Sequence, residues 1–211
     1  MILILVQACD IPPYDALMAA QKDTWDKIEH PETKTIYYIS SDKTEKTHFK
    51  DNVLYTKCPS GYPMLHWSMK IACDEIWDME WDYVFRTNAS SYIDKTLLVE
   101  FAKTLPKEGC YCGIDGGSYA SGAGVFMSRD VIKILKDKLD DSPSDFEDAY
   151  MGIILGRNGV KLTPGARRVI VDHTNYSNIP HCYHYRCKSD NGDRTKDINA
   201  FYAIYGQNKI H

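Results

Sequence analysis

Met1-Ile-Leu-Ile-Leu-Val6 opens the chain, closed by Gln7 and, three residues on, by Asp10 and then Pro12-Pro13. A strand that buries one face alternates apolar and polar residues. An uninterrupted apolar run of this length therefore predicts a strand covered on both faces, as in sheets sandwiched between helices. The run has no basic flank and is broken before it reaches signal-peptide length. No other stretch approaches the roughly 18 apolar residues of a membrane span. The expected setting is the cytoplasm.

Working outward, strand-like and helix-like segments alternate. Tyr14 to Ile28 places Leu17, Met18, Trp25 and Ile28 at helical spacing. Thr35-Ile-Tyr-Tyr-Ile39 and Val53-Leu-Tyr55 read as strands, Met64 to Trp77 as a helix, Tyr83-Val-Phe85 as a strand and Lys95 to Leu105 as a helix. A strand near Tyr111, a glycine-rich loop, a strand at Gly124 to Met127 and helices at Arg129–Leu139 and Asp145–Asn158 follow. Ser142-Pro-Ser-Asp145 is the expected cap of the last of these. The alternation predicts an α/β fold, a single domain over residues 1–211 with a mostly parallel central sheet and helices on both faces. From Pro164 to residue 211 the pattern weakens and reads as a folded-over tail. In that tail Lys188, Arg194 and Lys196 alternate with Asp190, Asp193 and Asp197, which predicts a solvated face.

Composition narrows the functional classes. Of 211 residues 44% are apolar and 26% charged, ordinary globular proportions that argue against disorder or a fibre. The net charge of −4 offers no broad positive field, so a nucleic acid polymer is not the expected partner. Seven cysteines cannot all pair within the chain, which favours a reducing compartment.

Ligands of open α/β sheets bind beyond the carboxyl ends of the strands. Three strand ends carry polar groups here: Gln7 and Asp10; Ser40, Ser41 and Asp42; Thr87, Asn88, Ser90 and Ser91. Each alone is also a common turn or capping residue. Together they point to a small polar ligand. Neither G-x-G-x-x-G nor a Walker loop is present, so dinucleotide and P-loop readings lack their carriers.

Four segments resemble the inverting glycosyltransferases of the Fringe and β-1,3-galactosyltransferase type. Ala20-Gln-Lys-Asp-Thr-Trp25 is similar to A-I-R-x-T-W. Asp82-Tyr-Val-Phe-Arg-Thr87 resembles the strand leading into the family's acidic metal motif. Tyr119-Ala-Ser-Gly-Ala-Gly-Val-Phe-Met-Ser-Arg-Asp130 is similar to Y-x-S-G-x-G-Y-V-L-S-R-D. Phe146-Glu-Asp-Ala-Tyr-Met-Gly152 with Gly159-Val160 resembles E-D-V-Y-x-G and L-G-V. A looser echo is Tyr183-His-Tyr-Arg186 against V-H-S-R. The segments occur in family order over roughly residues 1–190.

The resemblance implies a GT-A fold and transfer of a sugar, with inversion, from a nucleotide-sugar donor such as a UDP-sugar to a hydroxyl of a glycan or glycoconjugate acceptor. It places the general base on Asp148, with Glu147 as the fallback. Asp10 and Asp42 would meet the base or ribose, Asn88 and Ser90 the diphosphate, and Asp115 with Ser121, Gly122, Ala123 and Gly124 the donor or acceptor. The residues themselves leave alternatives: the two glycines suit close approach of backbone to a sugar or a tight turn into a strand. Glu147-Asp148 suits a base or simply the positive end of a helix.

One departure matters. The family's D-D-D, which reaches a divalent metal, is replaced by Asn88-Ala89-Ser90. Mn²⁺ and Mg²⁺ favour anionic oxygen, so affinity for them should fall. Three outcomes follow: a metal-free enzyme whose cations are drawn from Lys70, Arg86, Arg167, Arg168 and Arg186; a weak metal site of diphosphate, Asn88 and His184; or a non-catalytic sugar-nucleotide or glycan-binding module. A separate alternative is a metal-assisted hydrolase using His181, Cys182, His184 and Cys187 with Cys110 and Cys112, although the spacing matches no common zinc motif and the thiols also suit apolar packing.

Overall fold

The computed structural model describes residues 1–189 and 194–208. The opening run forms β1 (Ile2–Gln7), which pairs in parallel with β2 (Thr33–Ser41) on one side and β5 (Tyr83–Asn88) on the other. β3 (His48–Lys50) and β4 (Val53–Lys57) extend one edge, and β7 (Tyr111–Asp115) and β8 (Ala120–Ser128) the other, giving the order β3-β4-β2-β1-β5-β8-β7.

The pleat sends β1 into two cores. Ile2, Ile4 and Val6 join α1 (Tyr14–Asp23), α3 (Lys95–Ala102) and α6 (Arg194–Asn208) in one cluster. Leu3 and Leu5 join α2 (Leu65–Ile76), α4 (Arg129–Lys138) and α5 (Glu147–Arg157) in the other. Leu3, Ile4, Leu5 and Val6 are fully buried, and each such side chain contributes about 1.5–3 kcal/mol of transfer free energy. Helices thus cover both faces.

The sheet is mixed. β4-β2-β1-β5 run parallel, but β3 is antiparallel to β4, and β8 is antiparallel to both β5 and β7. Connection length is the reason: only residues 116–119 separate β7 from β8, and only Asp51 and Asn52 separate β3 from β4. Links that short can make hairpins but not crossovers. Asp51 takes the left-handed φ of 55° that such a turn needs.

Two helix boundaries also differ from the periodicity. α1 stops at Asp23, where the Thr24 hydroxyl donates back to the Ala20 carbonyl at 2.7 Å. α5 starts at Glu147 with Phe146 as its uncapped N-cap, so Ser142–Asp145 is not its cap.

A smaller sheet, β6-β10-β9, is built from β6 (Ser91–Ile93), β10 (His184–Arg186) and β9 (Val169–Ile170). It ties the C-terminal segment to the end of β5, and α6 packs its Phe201 and Ile204 into the first core. The solvated-face expectation fails for Asp197: it is fully buried, accepting from the Ser189 amide at 2.7 Å and from Arg194 Nη1 at 3.0 Å. Asp190 and Asp193 lie outside the described residues.

α1, between β1 and β2, lies on one face, whereas α2, between β4 and β5, lies on the other. Strand order therefore reverses between β1 and β5, whose carboxyl ends flank the crevice where α/β sheets bind ligands. Gln7 and Asn88 are register partners at that point.

Candidate functional site

Arg86 lies two residues before the end of β5 and is only 2% exposed. Its Nε donates to the Tyr38 hydroxyl at 3.2 Å and its Nη2 to Glu147 Oε2 at 2.6 Å; Nη1 donates to the Gly122 carbonyl and Nη2 also to Gln7 Oε1. Burial works against the Arg86 charge, but Glu147, Tyr38 and Asp148 together outweigh it and hold the guanidinium above its ordinary pKa. Burial pushes Glu147 up, partly offset by Arg86. Every arm of Arg86 is engaged by protein, so it clamps β1, β2, β5, β8 and α5 together and does not offer itself to a donor. The sequence reading of Arg86 as a donor-binding cation is corrected on that ground.

The next residue of α5 has a different environment. Asp148 is half-buried, its Oδ2 accepts from the Gly122 amide at 2.7 Å, and its Oδ1 has no hydrogen bond among the described residues. Both carboxylates sit in the first turn of α5, where the helix dipole favours negative charge. One is sealed inward by Arg86; the other is half-buried and braced by the Gly122 backbone. Gly122 is what allows this, because a Cβ there would overlap Arg86 Nη1 and come within 3.2 Å of Asp148 Cγ.

Gly124 opens room for His184, whose ring a Cβ at 124 would overlap. His184 Nε2 sits 3.0 Å from Ser91 Oγ, and its ring meets Phe85 edge-on at 5.8 Å. Burial, and then the charges of Arg168 and Arg186, hold its pKa well below the ordinary imidazole value. It is a neutral hydrogen-bonding group. Ala123 turns inward, its carbonyl accepting from Thr87 Oγ1 at 2.6 Å and Ser91 Oγ at 3.3 Å.

Asn88, Ser90 and the nearby Ser121 are each contacted by an arginine. Arg186 Nη1 donates to Asn88 Oδ1 at 2.6 Å, Arg194 Nη1 to Ser90 Oγ at 3.3 Å, and Arg168 Nη1 to Ser121 Oγ at 3.2 Å. The donors there are neutral oxygens already engaged by guanidinium groups, so they do not fit a divalent cation. His184, the ligand such a cation would use, is tied to Ser91 between two positive charges. Among the described residues no group of three or more His, Cys, Asp or Glu side chains could hold a metal ion.

The His/Cys constellation does not assemble. Tyr185 on β10 and Cys187 just past it pack in the first core, as do Cys110, Cys112 and Cys182. Burial pushes the Cys112 thiol up to about 11 and that of Cys110 to about 12, so they are thiols at neutral pH. The hydrolase alternative loses its site.

Other candidates lie apart. Asp10 and Asp42 are exposed beyond the ends of β1 and β2, and Asp42 Oδ1 accepts from Ser60 Oγ at 3.4 Å. Lys70 is paired with Asp74 on α2 at 2.5 Å. Asp115 is exposed and accepts from the Gly117 and Ser118 amides, making it a turn residue. A cavity of about 550 Å³ lined by Asp26, Glu29, His30 and Lys95 lies beside the start of β2, at the amino end of that strand.

Two contributors escaped the sequence reading. Gln21, buried on α1, donates to the Ser91 carbonyl at 2.7 Å and the Asn88 carbonyl at 3.2 Å, fixing the Asn88–Ser91 turn. A polar residue on the apolar face of α1 was the available signal. Arg194 had none, since only the fold brings it to Ser90.

The chain matches no protein-family model and no curated protein sequence.

Proposed function

We propose that the protein is a GT-A-like glycosyltransferase that transfers a sugar, with inversion, from a nucleotide-sugar donor, a UDP-sugar, to a hydroxyl of a glycan acceptor. The observation that carries this is Asp148, a half-buried carboxylate with one oxygen braced by the Gly122 amide of β8 and the other without a hydrogen bond among the described residues. The four ordered segments of resemblance support the same reading.

Asp148 takes the proton of the acceptor hydroxyl as that oxygen bonds to the anomeric carbon. The bond from that carbon to the diphosphate oxygen breaks, and its electron pair leaves with the nucleoside diphosphate. Attack opposite the leaving group inverts the anomeric configuration. Glu147 takes no proton from the acceptor, because it is sealed against Arg86; it positions α5. Seven free thiols support a cytoplasmic setting.

Thermal unfolding with a panel of nucleotides and nucleotide sugars tests the reading. A ligand at about 100 times its Kd adds about 2.7 kcal/mol, or about 5–11 °C for a domain of this size. A UDP-sugar should give that shift, and the reading fails if no nucleotide does. The second reading is a nucleotide-sugar-binding module, favoured by the neutral Asn88-Ala89-Ser90; it requires the same shift but no consumption of donor.

A further inference from the structure

Arg168 and Arg186 are held in place but not neutralised. Both are partly buried, and neither makes an ion pair among the described residues. Each makes a single hydrogen bond there, to Ser121 Oγ and Asn88 Oδ1 respectively, although a guanidinium carries five N–H donors. Burial, and then the charge of Arg168, bring Arg186 down to about 10, and burial lowers Arg168. Asp197, the acid that favours the Arg186 charge, is engaged by Arg194 and the Ser189 amide.

Two like charges close enough to disfavour one another, partly withdrawn from water and without counter-ions, destabilise a fold unless an anion completes them. Their positions are specific. Asn88 ends β5 and Ser121 is the second residue of β8; these strands are antiparallel neighbours, with Thr87 opposite Gly124, so the two anchors lie at the same end of the pair. Asp148 reaches the same segment through Gly122.

We propose that Arg168 and Arg186 form a metal-free clamp for a diphosphate, which on the nucleotide-sugar reading is that of the donor. Planar guanidinium forks match phosphate oxygens and keep their charge through neutral pH. They offset the charge that grows on the departing nucleoside diphosphate, the task a divalent cation performs where carboxylates are present.

Calorimetric titration with inorganic pyrophosphate and with UDP, in EDTA and then in Mn²⁺, tests the clamp on the wild type and on Arg168→Gln, Arg186→Gln and Arg167→Gln. Arg167, a candidate cation by sequence, is exposed and its backbone amide, not its guanidinium, makes its hydrogen bond to Tyr183, so Arg167→Gln removes the same charge from outside the clamp. Wild type binds both probes equally well in EDTA and in Mn²⁺. Arg168→Gln and Arg186→Gln each weaken binding about 10- to 100-fold, while Arg167→Gln does not. Without ligand, both clamp variants melt at or above the wild-type temperature, since each relieves an uncompensated charge. Binding that appears only with Mn²⁺, equal losses in all three variants, or a lowered melting temperature with unchanged affinity overturns the clamp. If pyrophosphate binds as described but no nucleotide sugar binds or is consumed, the transferase reading falls and the clamp stands. If UDP requires Mn²⁺ and ignores both arginines, the clamp falls and the donor reading stands.

Discussion

Glu147 and Asp148 are adjacent carboxylates with opposite assignments, so neutralising each in turn separates structure from chemistry. Glu147→Gln removes the charge that compensates Arg86, which is 2% exposed and donates to Glu147 Oε2 at 2.6 Å. Breaking a buried pair from one side costs about 3–5 kcal/mol because the other charge stays buried. At about 2–4 °C per kcal/mol, the melting temperature falls by about 6–20 °C. Asp148→Asn keeps an oxygen that can accept from the Gly122 amide. It loses only the charge-assisted part of that bond, about 1 kcal/mol, or about 2–4 °C. Its turnover, however, falls about 10²- to 10⁴-fold, the usual contribution of a general base. Thermal unfolding and donor-consumption assays on the two purified variants give both readouts. Equal melting temperatures would refute the assignment of Glu147 to a buried pair. A stable Glu147→Gln enzyme without turnover, beside an active Asp148→Asn, would refute the choice of base.

Three further outcomes follow from the packing. His184 is held below its ordinary pKa, so below about pH 6.5 the unfolded chain binds a proton that the fold refuses and stability falls with pH, by up to about 1.4 kcal/mol per unit. His66, lowered by burial, acts in the same direction, whereas Glu147, raised, opposes them; urea unfolding at pH 7.5 and 5.5 should show a shallower pH slope in His184→Gln than in wild type, and equal slopes would contradict this. Gly124→Ala drives a methyl into the His184 ring and should cost about 1–3 kcal/mol by urea unfolding, with a loss under about 0.5 kcal/mol contradicting the packing. Gln21→Leu leaves the buried Ser91 carbonyl without its donor and should cost about 1–3 kcal/mol while weakening UDP affinity in calorimetry; wild-type behaviour in both would remove Gln21 as the brace of the Asn88–Ser91 turn.

What could be read from the sequence was what depends on local periodicity. The Ile2–Val6 run specifies a doubly covered strand because every position needs an apolar neighbour, and both cores use it. Apolar spacing likewise located α2 and α4, and polar strand ends marked the crevice. Strand direction was hidden, because it depends on connection length, and the glycine-rich segment between β7 and β8 proved to be a hairpin. Side-chain roles that depend on distant partners were hidden too. Arg86 looks like a ligand cation until Glu147, 61 residues away, is seen to hold it. Arg194 and Asp197 look solvated because alternating charge usually is, yet they pair with one another in the fold and Arg194 reaches Ser90. Cys182 and Cys187 share a short segment with His184, yet among the described residues they form no group that could hold a metal ion.

The central claim is nucleotide-sugar transfer with Asp148 as base, and the anomeric signal in a proton NMR time course tests it most directly. Wild-type protein incubated in EDTA with a UDP-sugar and a glycan acceptor panel should consume donor and release UDP, forming a product of inverted anomeric configuration, and Asp148→Asn should leave the donor signal nearly unchanged. Full consumption by Asp148→Asn, a product of retained configuration, or an unchanged donor with every nucleotide sugar and wild-type protein would contradict it.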